Sequence, residues 1–351
     1  MLGLFTFFAI LYIAKSIIIP LVFATIIAIL LNPVVSFLVR IKLNRVVAIT
    51  IALLLTFIVI FAVASLLISQ ISRFADSLPL LADKFTALLN ETILEASDYF
   101  DINPQKIHEW ILKTQTEIIN TSSAALGQTL VIVGSTIVIL FLIPVYIFLI
   151  LFYQPLLLEF IHRLFQETHQ SRVSEVVSKI KTVIQKYLSG LIIEATIMAL
   201  MYISVLLILG IQYALLIGII GAMINVIPYI GGLVGVLLPM TVALATKSPV
   251  YALYVLVLFY IIQLIDNNLI VPKIVASKVK INALFSIIVV IAGNVLWGIP
   301  GMFLSIPLLA IVKLICDHID TLKPLGFLLG DTMPPIMIVP KIFKKPKTKT
   351  A

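Results

Sequence analysis

Nine runs of apolar residues constrain the fold of this chain more than any other feature of its sequence. They cover about residues 2–14, 17–37, 46–69, 130–152, 188–209, 214–246, 250–265, 281–297 and 303–316. A helix needs roughly 20 apolar residues to cross a bilayer, and about 17–25 are tolerated. Runs 2–14 and 303–316 are short, whereas 214–246 is long enough for two crossings or one re-entrant hairpin. We predict an all-α integral membrane protein with about eight transmembrane helices, some of them broken or re-entrant.

Composition supports the same class. Of the 351 residues, 62% are hydrophobic and 11% are charged, whereas soluble domains carry roughly 25% charged residues. The net charge of +8 comes from cations in short loops and in the tail, not from a basic face of the kind that binds nucleic acid. The lipid bilayer is therefore the predicted partner. The single cysteine, Cys316, excludes an intramolecular disulfide, and no metal or cofactor motif is present in the sequence.

The signs of the loop charges predict the orientation. Residues 153–187 carry five cations against three acids, and further cations lie in 40–45, in 273–280 and in the tail. Residues 70–128 carry four cations against eight acids. Because basic loops stay in the cytoplasm, 70–128 is predicted outside and the C-terminus inside.

Five segments follow from these patterns. They are N-terminal transmembrane helices (1–69), an extracytoplasmic amphipathic helical region (70–128), a transmembrane helix followed by a cytoplasmic amphipathic helix (129–187), a C-terminal transmembrane transport block (188–320) and a basic cytoplasmic tail (321–351). Apolar stripes predict that 70–128 forms two or more packed helices, and that the stripe from Val173 to Tyr187 is an interfacial helix.

Two acidic residues, Glu194 and Asp266, lie within or beside the apolar runs that follow residue 130. Ionisable groups at membrane depth are costly and commonly mark a function. Glu194 is either a carboxylate that snorkels or pairs with Lys186, or a group that binds protons or solute. Asp266 lies near Gln263, Asn267, Asn268 and Pro272, a set that could bind a cation or a hydroxyl-rich solute. The alternative for Asp266 is a polar helix end at the membrane surface.

Breaks in the helical pattern form the remaining candidate sites. The first break contains Asn225, Pro228, Tyr229, Gly231 and Gly232, and irregular backbone at this depth must be buried in protein or line a wet cavity. The alternative is close helix packing through Gly231 and Gly235. The second break, with Gly298, Pro300, Gly301 and Pro307, could form another re-entrant hairpin. Two such hairpins beside Asp266 would enclose a polar pocket.

Enzymatic motifs are lacking in the sequence. It contains no Walker A run, no HExxH and no GxSxG, and its four histidines are scattered through loops. A catalytic role is therefore not predicted.

Three motifs resemble those of the autoinducer-2 exporter family, the PerM-like permeases. They are Asn225-Val-Ile-Pro-Tyr-Ile-Gly-Gly, Gln263-x-x-Asp266-Asn-x-x-x-x-Pro272 and Gly298-Ile-Pro-Gly-Met-x-x-Ser-Ile-Pro307. Their order and the layout of the apolar runs extend the resemblance over nearly the whole chain. The segment Lys280-Ile-Asn-Ala-Leu departs from the family, which tends to have a proline there, and Glu194 matches no family motif.

The resemblance implies a transporter or facilitator in the plasma membrane of a bacterium that exports a small polar solute such as autoinducer-2. It also implies a homo-oligomer, such as a pentamer, and similarity to Na⁺(Li⁺)/H⁺ antiporters. A monovalent cation carried by Asp266 and Glu194 is therefore the alternative cargo. A non-transporting membrane scaffold is the alternative from another class.

Overall fold

The computed structural model describes residues 2–100, 141–227, 231–275, 277 and 279–331. Within these ranges the chain is helical and forms no strand; a single antiparallel bridge joins Ile281 to Gly330. The predicted all-α class is confirmed.

The N-terminal half consists of long helices and one bent pair. Its helices are α1 (Leu2–Ile13), α2 (Lys15–Arg40), α3 (Arg45–Phe100), α4 (described from Phe141 to Phe152) and α5 (Gln154–Arg163). Helices α4 and α5 meet at an angle of 63°.

The C-terminal half is more interrupted. It contains α6 (Gln170–Ile208), α7 (Ala214–Asn225), α8 (Gly231–Gly235), α9 (Leu237–Thr246), α10 (Pro249–Ile265), a π-helical segment (Asp266–Val275), α11 (Ala283–Trp297), α12 (Ile299–His318) and α13 (Lys323–Leu329). Short 3₁₀ turns precede α6 and α13.

Five helical stretches in the described chain are long and apolar enough to cross a membrane, or six if the bent pair forms one span. Three further apolar helices, Ala214–Asn225, Val234–Thr246 and Ala283–Trp297, are shorter than a full span. Many large apolar side chains on the outer faces are exposed, such as Phe61 and Ile208. The protein is a multi-pass membrane protein whose outer faces meet lipid.

Helix α3 differs from the predicted division at residue 70. Its 56 residues form one helix, which at about 1.5 Å per residue is about 84 Å long and extends well beyond a bilayer. The third span therefore continues into the polar region, and Phe74 packs against Tyr213 with ring centroids 5.3 Å apart. Residues 101–128 of the predicted excursion lie outside the described residues.

Helix α6 corrects a second prediction. The stripe from Val173 to Tyr187 is not a separate interfacial helix, because α6 continues without interruption for 39 residues into the span. Ile184 and Tyr187 are buried in a core cluster with Ile26 of α2 and Leu304 of α12. The C-terminal part of the stripe, from Ile180 to Tyr187, is therefore apolar because it packs on protein.

A proline in α2 explains one contact between helices. Pro33 has no N–H and therefore leaves the carbonyl of Ile29 without its helical donor. Gln185 of α6 fills this role, with Nε2 2.7 Å from the Ile29 oxygen. A donor from a neighbouring helix commonly replaces the missing backbone N–H where a proline lies inside a transmembrane helix.

Two helical hairpins complete the C-terminal half. In the first, α7 packs against α8 and α9, and a Cβ on Gly221 would lie 3.5 Å from the Gly235 carbonyl oxygen. At 12 residues, α7 is about 18 Å long, too short for a crossing. In the second, α11 and α12 meet at Gly298, which has φ +66°.

The second hairpin corrects the predicted set of helix breaks. Gly298 alone interrupts the helix, because Pro300 and Gly301 already belong to the first turn of α12 and Pro307 lies inside it. Proline fits the first turn, where a helix needs no backbone donor. Gly301 packs against the backbone of Gly293, so its role is close helix contact.

Candidate functional site

A cavity of about 600 Å³ lies within the C-terminal half, between α6, the two hairpins, α10 and the π-helical segment. Its polar lining residues are Glu194, Asn225, Gln263, Asp266, Asn267 and Ser286. Five of these side chains were candidate site residues in the sequence. Ser286 was not among those candidates. The predicted pocket between two hairpins is present.

Asp266 lies where α10 passes into the π-helical segment, and its side chain is 1% exposed. Pro272 cannot donate a backbone hydrogen bond and its ring crowds the preceding turn. A wider π turn accommodates this loss, and such turns are frequent at functional sites. Asn268 compensates at the start of the turn, where its Nδ2 donates to the Leu264 carbonyl at 2.8 Å.

One oxygen of Asp266 is held by amide groups. Asn225 Nδ2 donates to Oδ2 at 3.0 Å, and Gln263 Nε2 approaches the same oxygen at 3.4 Å. Gln263 Nε2 also lies 3.4 Å from Asn267 Oδ1, while its own Oε1 accepts from the Tyr202 hydroxyl at 3.4 Å. The side chains of Asn225, Gln263 and Tyr202 thus link α7, α10 and α6 around the Asp266 carboxylate.

The other oxygen of Asp266 is unsatisfied. Oδ1 is buried and has no hydrogen-bond partner among the described residues. A buried polar atom without a partner is costly, and in a native protein it calls for a ligand, a water or a functional reason. Asp266 lines the cavity, but Oδ1 itself exposes less than 1 Å² of surface, so a donor inside the cavity satisfies it only after the carboxylate rotates about its soft χ2 torsion.

Glu194 belongs to the buried stripe of α6 and is 5% exposed. It follows Tyr187, Gly190 and Leu191 at helical spacing, so it faces the cavity. Gly190 lets the π-helical segment come close, since a Cβ there would lie 2.7 Å from the Ile274 carbonyl oxygen. Lys186 is exposed on another face and forms no ion pair with Glu194. The structure thus shows a buried carboxyl group beside the cavity without the predicted pairing to Lys186.

Gly232 fits against Gln263. A Cβ on Gly232 would lie 2.7 Å from Gln263 Nε2 and closer still to Oε1. Contacts below 3.0 Å are essentially never seen for a real Cβ, so any larger residue at position 232 would displace the Gln263 amide from its place beside Asp266. Gly231 has the neighbouring role, packing on the backbone of Ile224 and Asn225.

Several predicted site residues lie away from the cavity. Asn268 bonds its own helix, Pro272 is exposed, and Gly231 is a packing residue. Gly298, Pro300, Gly301 and Pro307 shape the second hairpin, yet the lining residues it contributes are Ser286 and Ile306. Pro228 and Tyr229 lie outside the described residues.

Sequence reasoning missed the aromatic part of the site. Tyr187, Phe259 and Tyr260 line the cavity, and Tyr202 stacks on Phe259 with centroids 4.4 Å apart. Within an apolar run these residues look like any other core or lipid-facing side chain. The available signal was spacing, since Phe259 precedes Gln263 by one helical turn.

The ionisable groups among the described lining residues of the cavity are acidic or phenolic, and none is basic. Two carboxyl groups line it, and no Lys, Arg or His is found among the described lining residues. Described residues also contain no group of three or more His, Cys, Asp or Glu that could hold a metal ion. The site can therefore accept hydrogen bonds or positive charge, while an anion would be repelled.

A multi-pass helical protein with a polar cavity between discontinuous helices has the architecture of a membrane transport protein. The chain belongs to the AI-2E family transporters, whose sequence profile matches residues 2–321. The predicted family is confirmed.

Individual relatives carry transport names. YrrI of Bacillus subtilis, named as a transport protein, is 25% identical over 253 residues, 72% of this chain and 71% of its own length. YueF of the same organism, also named for transport, is 36% identical over 107 residues, 30% of this chain and 29% of its own. The AI-2 transport protein TqsA of Escherichia coli is 28% identical over 123 residues, 35% of this chain and 36% of its own.

Proposed function

We propose that this protein is a secondary transporter or facilitator that exports a small polar solute, of the kind that autoinducer-2 represents, across the plasma membrane of a bacterium. The basic loops and C-terminus would lie in the cytoplasm, and the protein would act as a homo-oligomer; both assignments extend the loop charges and the family resemblance. The name of TqsA supports autoinducer-2 as one member of the cargo class.

The observation that carries this proposal is the unsatisfied Asp266 oxygen in a cavity of about 600 Å³. Small-molecule sites typically measure about 300–1,000 Å³ and hold a few placed polar groups in a mostly apolar wall. Here the Asp266 carboxyl group and the amides of α7 and α10 meet at one side of the cavity, and Glu194 of α6 lines the same cavity. Hydroxyl groups of a solute can donate to them.

Flux through purified protein in liposomes tests the proposal. We expect autoinducer-2 and neutral polyols to leave loaded liposomes faster through the parent protein than through protein-free membranes. Asp266→Asn removes the charge and keeps the shape, and should slow this flux. Asp320→Asn makes the same chemical change at an exposed position outside the cavity, and should leave it unchanged. Parent protein that is folded and inserted but carries no solute would contradict the proposal.

A second candidate is a Na⁺(Li⁺)/H⁺ antiporter. The observation in its favour is that Asp266 and Glu194 share one cavity without a described lining cation. In this mechanism Glu194 carries the proton, and Glu194→Gln should flatten the pH dependence of Na⁺ flux. Solute export without ion movement would exclude it, and the absence of any flux would favour a scaffold.

A further inference from the structure

The cavity has a polar end and an apolar wall. This division restricts the class of molecule that it can bind more than its acidic residues do. Polar groups gather where Asn225, Gln263 and Asp266 meet, whereas much of the remaining wall is aliphatic or aromatic, as at Leu191, Val236 and Phe259. The wall therefore matches a molecule with one polar head and a short apolar body.

The group left unpaired at the polar end is an acceptor, although the amides of Asn225, Gln263 and Asn267 also carry donors there. Both donating amides that reach Asp266 are directed to Oδ2, and Oδ1 stays buried without a partner among the described residues. Glu194 adds a second carboxyl group to the same cavity, and no described lining residue supplies a cation. A ligand must therefore bring the hydrogen-bond donor and the positive charge itself.

We propose that this cavity binds a small alkylammonium ion, with its ammonium head at Asp266 and its apolar body along Leu191, Val236 and Phe259. An ammonium group carries three donors and no acceptor, which is the complement of the unpaired oxygen. Charge-assisted hydrogen bonds of this kind are the stronger ones. Phe259 and Tyr260 also line the cavity and belong to its apolar wall.

The same geometry disfavours other cations. A bare metal ion would use oxygen ligands at the polar end only and would leave the apolar wall without a contact. An alkylammonium ion needs only a few oxygens at one end. The inference uses the cavity of the proposed function and names a class of cargo for it, but binding itself requires no transport step.

Three probes that share an alkyl chain and differ in their polar head group test the inference. Binding of n-butylammonium, n-butanol and butyrate to the purified full-length protein at neutral pH would be measured by titration calorimetry. We expect butylammonium to bind most tightly, butanol at least about tenfold more weakly, and butyrate not measurably. Equal binding of the three probes, or no binding of butylammonium, would overturn the inference.

Variants and an inorganic ion locate the head group. Asp266→Asn should weaken butylammonium binding at least about tenfold while leaving butanol binding nearly unchanged. Asp320→Asn, the matched removal of an exposed carboxylate, should leave both unchanged. Tighter binding of Na⁺ than of butylammonium would overturn the inference in favour of a metal-ion site. These results are independent of polyol flux, so failure here and failure of the proposed function are separate outcomes.

Discussion

The N-terminal layer (α2, α3 and α4) and the C-terminal block (α6–α12) differ in the kind of side chain that they bury. The layer packs small and aliphatic side chains such as Ala24, Ala28, Ala48 and Ile49. Among the described residues, five of the six buried polar or charged side chains lie in the block, and the layer holds only Asn32. Even that one is satisfied locally, since Ser36 Oγ donates to its Oδ1 at 3.0 Å.

The difference follows from backbone hydrogen bonding. The helices of the layer satisfy their own backbone except at the prolines of α2, and they otherwise need only apolar contacts. Breaks and π turns in the block free polar groups, which must then be paired by side chains such as Asn268 or by a ligand. Interruption of the helices, not the amount of apolar sequence, distinguishes the region that can bind solute.

Gly232→Leu tests this distinction with the largest expected effect. Its side chain would overlap Gln263 and push the broken hairpin from the amides around Asp266, so we expect solute flux to fall to that of protein-free liposomes. Insertion should be preserved, because leucine favours the membrane.

Gly3→Leu is the matched control for that variant. Nothing lies within 4 Å of a Cβ at Gly3 in α1, so flux should stay at the parent level. Normal flux through well-inserted Gly232→Leu protein would show that the hairpin fit has no functional part.

The two regions also differ in how far the sequence predicts them. Lengths of apolar runs predict α2, the membrane part of α3 and the class of fold, because a bilayer sets the length of each helix. The free-energy cost of an ionisable side chain at membrane depth identifies Glu194 and Asp266 as candidate site residues. The glycine-rich break identifies Gly232 as another. These signals act within one segment, and so they can be read along the chain.

Contacts between segments could not be predicted in this way. The stripe ending at Tyr187 was apolar whether it faced lipid or protein, and only the positions of α2 and α12 decide that it is buried. Pro307 looked like a break, yet α12 accommodates it within 20 continuous helical residues. Tyr202 and Phe259 carry no local mark of their stacking.

Ala48→Leu addresses the N-terminal layer. Ala48 is completely buried against α2 and α4, and adding side-chain volume to a tight core costs about 1–3 kcal/mol. We expect a lower midpoint of thermal unfolding in detergent and an unchanged preference for butylammonium over butyrate. A changed preference would show that the layer and the cavity are coupled, against the division drawn here.

Gln185→Ala tests the contact that joins the two regions. It leaves the Ile29 carbonyl without a donor, and we expect a loss of about 1 kcal/mol in the free energy of unfolding. In a Pro33→Ala background the backbone N–H at position 33 can satisfy that carbonyl, so the same substitution should cost much less. Equal costs in both backgrounds would show that the Gln185 contact does not replace the missing donor.

Asp320→Asn should have the smallest effect, because its ion pairs belong to neither core. Asp320 lies 2.6 Å from Lys323 Nζ and 3.3 Å from Arg172 Nη1, and all three side chains are exposed. Lys323, through its hydrogen bond and charge, and then Arg172 hold the pKa of Asp320 below its ordinary value. A lowered carboxyl pKa contributes stability above the unfolded pKa and loses it as pH falls through the folded pKa.

Thermal unfolding of the parent and Asp320→Asn proteins across pH and salt measures this contribution. Their midpoints should differ slightly at neutral pH and low salt, and converge in acid and in high salt, where exposed pairs are screened. A large difference that persists in high salt would mean that the joint between α6 and the turn after α12 is held by more than surface charge. Asp320→Asn could then no longer serve as the matched control for Asp266→Asn.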